Sequence, residues 1–134
     1  MRFYIYLTGE IILSRQAMIN RLLKVVTYKI SQTNLEQRLI AIEELGKIAQ
    51  EYPDAYGNII QIIIKFIKKS RSIKLLKNYE VDMISEINID IQNALNLITN
   101  PDIDESLRRV MMDLSYVDIR GADLHGANLK KINL

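Results

Sequence analysis

Between Met112 and Leu134 the chain repeats in register five. An aliphatic centre falls at Leu114, Ile119, Leu124, Leu129 and Leu134. Two positions before each centre stands a residue apolar enough to be buried: Met112, Val117, Ala122, Ala127 and Ile132. One position before each stands Asp113, Asp118, Asp123, Asn128 or Asn133. A helix repeats every 3.6 residues and a strand every 2, so neither element accounts for this pattern and a repeating structural unit is required. Asp and Asn accept tight turn conformations and hydrogen-bond nearby backbone, and Gly121 and Gly126 ease the turns between units.

The remaining sequence bounds the molecule more loosely. A chain of 134 residues with 49% hydrophobic and 25% charged residues is long enough for one domain with a real core. A net charge of +2 gives no global polyelectrolyte character, and the absence of cysteine removes disulfides and thiolate chemistry. The first seven residues, Met1 to Leu7, are too short an apolar run for a signal peptide, and no stretch reaches the roughly 18 apolar residues of a transmembrane helix. The cytoplasm is the expected location.

Residues 1–8 read as an extended strand or irregular arm, because Tyr4, Ile5 and Tyr6 favour β structure, with Thr8 as a helix cap. From Glu10 to Lys29 the spacing predicts a helix with Ile11, Met18, Leu22, Val25 and Val26 inward. Asn34 or Thr33 then caps a helix from Leu35 to Glu51, buried through Leu35, Leu39, Ile42, Leu45 and Ile48, and Pro53 stops it. A third helix over 55–70 is apolar nearly all round, which predicts a central position. Its polar stripe is Asn58, Gln61, Lys65 and Lys68. Lys68, Lys69, Arg71, Lys74 and Lys77 read as an exposed basic loop. Asp90 caps a fourth helix carrying Ile91, Ala94, Leu95 and Ile98, ended at Asn100-Pro101. Asp102 or Asp104 caps a short fifth, Glu105–Met111, leading into the repeat.

No residue set names a reaction. His125, the one histidine, falls at a solvent-facing repeat position, and Asp113, Asp118 and Asp123 belong to different sides of a coil rather than to one acid pair. No Cys/His cluster with zinc spacing and no phosphate loop is present. Neither an enzyme, a cofactor nor a metal is expected.

The segments Ala122-Asp123-Leu124 and Ala127-Asn128-Leu129 resemble the pentapeptide-repeat family, with departures at Met112, Val117, Ile132 and Ile119. Arg38 to Ala49 and Asp90 to Leu95 are similar to the helical region that precedes the repeats in many bacterial, often cyanobacterial, members, although Ala55-Tyr56 stands where those relatives carry His. The resemblance implies a mainly α protein in which a HEAT-like bundle, residues 1–111, caps about one coil of a right-handed quadrilateral β-helix, residues 112–134. Leu114 and Leu134 would then lie one coil apart on the same side. A single coil has no neighbour on which to stack. Either the helices cap it, a partner continues it, or the chain is shorter than its relatives.

Two functions are expected. The first is a non-catalytic protein-interaction or scaffold module, self-associating or binding a protein partner through the exposed coil edge at Leu129, Ile132 and Leu134. The second is a basic helical module that binds an anionic surface or nucleic acid through Arg15, Arg21, Lys24, Lys68, Lys69 and Arg71, although stacking of single strands lacks an aromatic platform.

Overall fold

The computed structural model describes residues 2–71, 87–108 and 111–134. Its helices are α1 (Arg2–Ile30), α2 (Leu35–Glu51), α3 (Tyr56–Arg71) and α4 (Ile89–Ile98), with 3₁₀ turns at Pro53–Ala55 and Glu105–Leu107 and two strands, β1 (Met112–Asp113) and β2 (Ile132–Asn133).

α1 runs from Arg2 without a break, which corrects the expected extended arm and the cap at Thr8. The β preference of two tyrosines and an isoleucine is a weak prior, and no proline interrupts the helix. The buried stripe on α1 is Ile19, Leu23, Val26 and Ile30, whereas Met18, Leu22 and Val25 are 39–50% exposed. Two adjacent stripes of α1 are apolar at helical spacing, and the packing of α1 on α2 selects one of them.

α2 begins where Asn34 accepts the Gln37 N–H at 3.3 Å, a side-chain N-cap, and ends just before Pro53. Its inward face is Ala41, Ile42, Leu45, Ile48 and Ala49. The small alanines allow close approach, while Leu35, expected inside, is 43% exposed. The exposed pair Glu43–Lys47 spans 3.4 Å and adds a few tenths of a kcal/mol at most. α3 is central: it touches α1, α2, α4 and β1 and buries Tyr56, Ile59, Ile60, Ile63, Ile64, Phe66 and Ile67. α4 starts one residue before Asp90, so Asp90 is not the cap; Asn88 occupies that position without a side-chain bond. The helix expected over Glu105–Met111 is a single 3₁₀ turn, Glu105–Leu107, in which Asp104 accepts the Ser106 N–H at 2.9 Å.

The C-terminal tract departs most from expectation. The molecule is mainly helical with one small sheet, and no right-handed β-helix coil is present among the described residues. β1 and β2 pair in parallel with Met112 opposite Ile132 and Asp113 opposite Asn133. The Met112 N–H donates to Lys131 O at 2.6 Å and the Leu114 N–H to Asn133 O at 2.7 Å. The physical reason is backbone accounting. A β-helix forms its sheets between successive coils, and here the chain returns onto itself only at Met112 and Ile132. Elsewhere three of the tract's amides reach the helical region instead, Asp118 N–H to Arg71 O at the end of α3, Asp123 N–H to the Gln92 side chain on α4 and Asn128 N–H to Thr99 O just after α4, each at 2.8 Å, while the amides of Ala122, Ala127 and Ile132 close turns within the tract.

The register of five is nonetheless a register of turns. The side chains of Asp113, Asp118, Asp123 and Asn128 each accept the N–H two residues on, from Ser115, Arg120, His125 and Lys130, at 2.9–3.2 Å. The residue three beyond each Asp or Asn takes positive φ: Tyr116 (60°), Gly121 (85°), Gly126 (71°) and Lys131 (61°). A Cβ at Gly126 would meet no atom within 4 Å. Gly126→Ala is therefore expected to cost about 1 kcal/mol through φ alone, read as a lower midpoint in urea unfolding.

Candidate binding groove

The helices leave a concavity of about 860 Å³ between α1 and α3, closed at one end by the start of α4. Lys24 and Tyr28 of α1 line one wall, and Gln61, Lys65 and Lys69 of α3 line the other. Ile30, Ile62, Phe66 and Ile91 supply apolar lining. The volume lies in the usual range for binding pockets.

The local sequence explains this shape. Gln61, Lys65 and Lys69 recur every four residues, so they share one outward stripe of α3, while Phe66 and the half-buried Ile62 turn toward the core side. Lys24 and Tyr28 form the matching i,i+4 pair on α1. At the closed end Arg38 donates from Nε to Asp90 Oδ2 at 2.9 Å and from one guanidinium nitrogen to Gln32 O and Thr33 O at 3.0 and 2.6 Å. Asp90 Oδ1 also accepts the Ile91 N–H at 2.9 Å. This partly buried ion pair ties α4 to the start of α2 and the α1–α2 turn and fixes the end of the groove.

Lys24, Lys65 and Lys69 have no ion-pair partner among the described residues. Three ammonium groups beside an apolar lining create a locally positive field that favours an anionic occupant.

The residues expected to meet an anionic partner are only partly brought together. Lys24 and Lys69 reach the groove, and Arg21 is exposed on α1 outside it. Arg15 pairs with Asp54 at 3.1 Å and lies 5.2 Å from the Tyr52 ring centroid. Lys68 sits 3.8 Å from Asp113. Arg71 is not an exposed loop residue: it ends α3, is 5% exposed, and donates from Nε to Asp118 O at 2.9 Å. Lys74 and Lys77 lie outside the described residues. Lys65 and Tyr28 were not singled out by the sequence as contact residues, although the four-residue spacing of Gln61, Lys65 and Lys69 marks that stripe.

At the proposed coil edge, Leu129 and Leu134 are 41% and 55% exposed, whereas Ile132 is half-buried and packs on the core. The sheet has two strands, so each keeps one unpaired edge. His125 is exposed, and its N–H is held by Asp123. Among the described residues no helix is long and apolar enough to cross a membrane.

Behind these surfaces lies an arginine-centred junction. Arg108 is 1% exposed and donates to Ile98 O (2.7 Å) and Asn100 O (3.3 Å) at the end of α4, and to Asn128 O (3.1 Å) and Lys130 O (3.4 Å) in the tract. The Tyr56 hydroxyl donates toward Leu97 O and Ile98 O at 3.3 and 3.4 Å, and burial raises its pKa. Asp118, whose side chain is 2% exposed, has its pKa lowered from the ordinary carboxylate value, chiefly by the hydrogen-bonded Arg120 guanidinium. A depressed folded value means that this stabilisation is full above the ordinary value of 3.8 and is lost as pH falls through the folded value. Thermal stability is therefore expected to decline below about pH 4, and Asp118→Asn should flatten that part of the profile.

No protein family, curated protein or solved structure matches the chain.

Proposed function

We propose that the protein is a non-catalytic binding module whose contact surface is the groove between α1 and α3. The observation that carries this reading is the conjunction of Lys24, Lys65 and Lys69, which have no ion-pair partner among the described residues, with the apolar lining at half-buried Ile62 and buried Phe66. Exposed cations alone are an ordinary solvated face, and an apolar hollow alone is a packing defect. Together they match a ligand that brings both negative charge and apolar bulk.

The dye 1-anilinonaphthalene-8-sulfonate, an apolar anion, is a suitable probe. Its fluorescence is expected to rise saturably with one equivalent bound and to weaken as salt screens the lysines. Ile62→Glu, which places a carboxylate at a half-buried lining position, is expected to abolish the signal while leaving the helical circular dichroism unchanged. Undiminished dye binding by a folded Ile62→Glu variant would contradict the groove as the site.

The open edge of β2 favours a second reading, a contact through Leu129, Ile132 and Leu134. Leu134 is 55% exposed, although it follows the strand whose partner segment buries Met112 and Leu114 at 2% each.

A further inference from the structure

We infer that the occupant of the groove is an acidic amphipathic helix of a protein partner, with an aliphatic stripe flanked by carboxylates one turn apart. This rests on the groove being the contact surface, and it adds the chemistry of what is bound. Lys65 and Lys69 stand one turn apart on α3, about 6 Å between Cβ atoms. Carboxylates spaced by one turn on a partner helix reproduce that separation, and Lys24 on the facing wall meets a third acid or the partner's C-terminal carbonyls.

The apolar lining discriminates among anionic partners. Ile30, Ile62, Phe66 and Ile91 offer nothing to a sugar–phosphate backbone. Base stacking needs exposed aromatic faces, and Phe66 is 7% exposed, which leaves Tyr28 as the one accessible ring among the described lining residues; half-buried Ile62 and the Tyr28 face are the apolar surface that an aliphatic stripe would meet, above buried Ile30, Phe66 and Ile91. A bilayer surface is flat and meets ridges rather than a concavity between two helices. A leucine-type stripe laid between two helix walls is the established helix-in-groove geometry, in which side chains at three- and four-residue steps anchor the ligand. The Gln61 amide adds a hydrogen-bonding group for the partner's polar flank, whereas the Thr27 and Ser31 hydroxyls already donate to Leu23 O and Tyr28 O and can only accept.

The experiment is a charge swap on the full chain, read by fluorescence anisotropy of a labelled synthetic amphipathic helix with Leu along one face and two Glu one turn apart beside it. The chain is expected to bind this peptide, and Lys65→Glu/Lys69→Glu to lose affinity by tenfold or more, on the order set by like-charge juxtaposition. Binding to the variant should return when the two peptide Glu residues are replaced by Lys. Because both lysines are exposed or at the groove rim, the variant is expected to keep its helical spectrum, and the Lys peptide must bind the unaltered chain more weakly than the Glu peptide. Equal binding of both peptides to the unaltered chain would overturn the inference. So would preferential binding of a single-stranded oligonucleotide or of phosphatidylserine vesicles, or intramolecular contacts from residues 72–86 to Phe66 in the free protein that persist when the peptide is added. If the sulfonate dye binds at the groove and the peptide does not, the helix inference fails while the groove reading stands. If neither binds, the groove reading itself fails.

Discussion

Arg108→Ala is expected to destabilise the protein by about 3–5 kcal/mol, the sum of charge-assisted hydrogen bonds lost to buried carbonyls and the cavity left by a large buried side chain. The side chain is among the largest fully buried ones, and its guanidinium gathers four carbonyls from two parts of the chain: Ile98 and Asn100 after α4, and Asn128 and Lys130 in the tract. Its positive charge also lies at the carboxyl end of α4, where the helix dipole favours a cation. Truncation leaves those carbonyls without their donor and opens a cavity, two penalties that add. Arg108→Lys keeps the charge but not the planar fork, so it should recover only part of the loss. Urea unfolding with near-ultraviolet circular dichroism measures both variants. A shift below about 1 kcal/mol in Arg108→Ala would mean that the junction is not held by this side chain.

Arg38→Ala is expected to cost about 2–3 kcal/mol, somewhat below a fully buried pair because the arginine side chain is 22% exposed. Its loss leaves the Asp90 carboxylate, 5% exposed, with the Ile91 N–H as its remaining donor among the described residues, and leaves Gln32 O and Thr33 O without the arginine. The two residues act as one unit, so the double variant Arg38→Ala/Asp90→Ala should be less destabilised than the sum of the single variants. A strictly additive cycle would contradict the pairing. The same variants should weaken dye binding, because Arg38 and Asp90 form the closed end of the groove.

Where a local signal had no competitor, the sequence was sufficient. Asn34 and Pro53 bracket α2, and the structure gives Leu35–Glu51. The nearly all-apolar third segment is indeed the central helix. On α1 two neighbouring stripes carry apolar residues at the same spacing, and only the docking partner decides between Ile19–Leu23–Val26–Ile30 and Met18–Leu22–Val25. At Asp90 a residue with every property of a helix cap is taken inward by Arg38, fifty-two positions away in sequence, a pairing that no local rule anticipates.

The tract shows the same division. Its register of five correctly marked recurring turns, because the bond from the Asp or Asn side chain to the N–H two residues on is a local property of those residues; the positive φ that follows falls on Gly at two of the four turns and on Tyr116 and Lys131 at the others. A β-helix is a non-local assembly of stacked strands, and here the amides of Asp118, Asp123 and Asn128 bond to α3, to α4 and to the residue just after α4. The groove was visible only in part. Its lysines stand out in the sequence, but whether a lysine faces a partner, as Lys68 faces Asp113, or a hollow, as Lys65 does, depends on how the helices cross.

The most direct test of the groove is to map amide chemical-shift changes on the isotopically labelled chain as the sulfonate dye is added. The account expects the largest saturable shifts at Lys24, Tyr28, Gln61, Lys65 and Lys69, the residues that line the two walls. Shifts concentrated instead at Leu129, Ile132 and Leu134 would contradict it and move the contact surface to the open edge of the sheet.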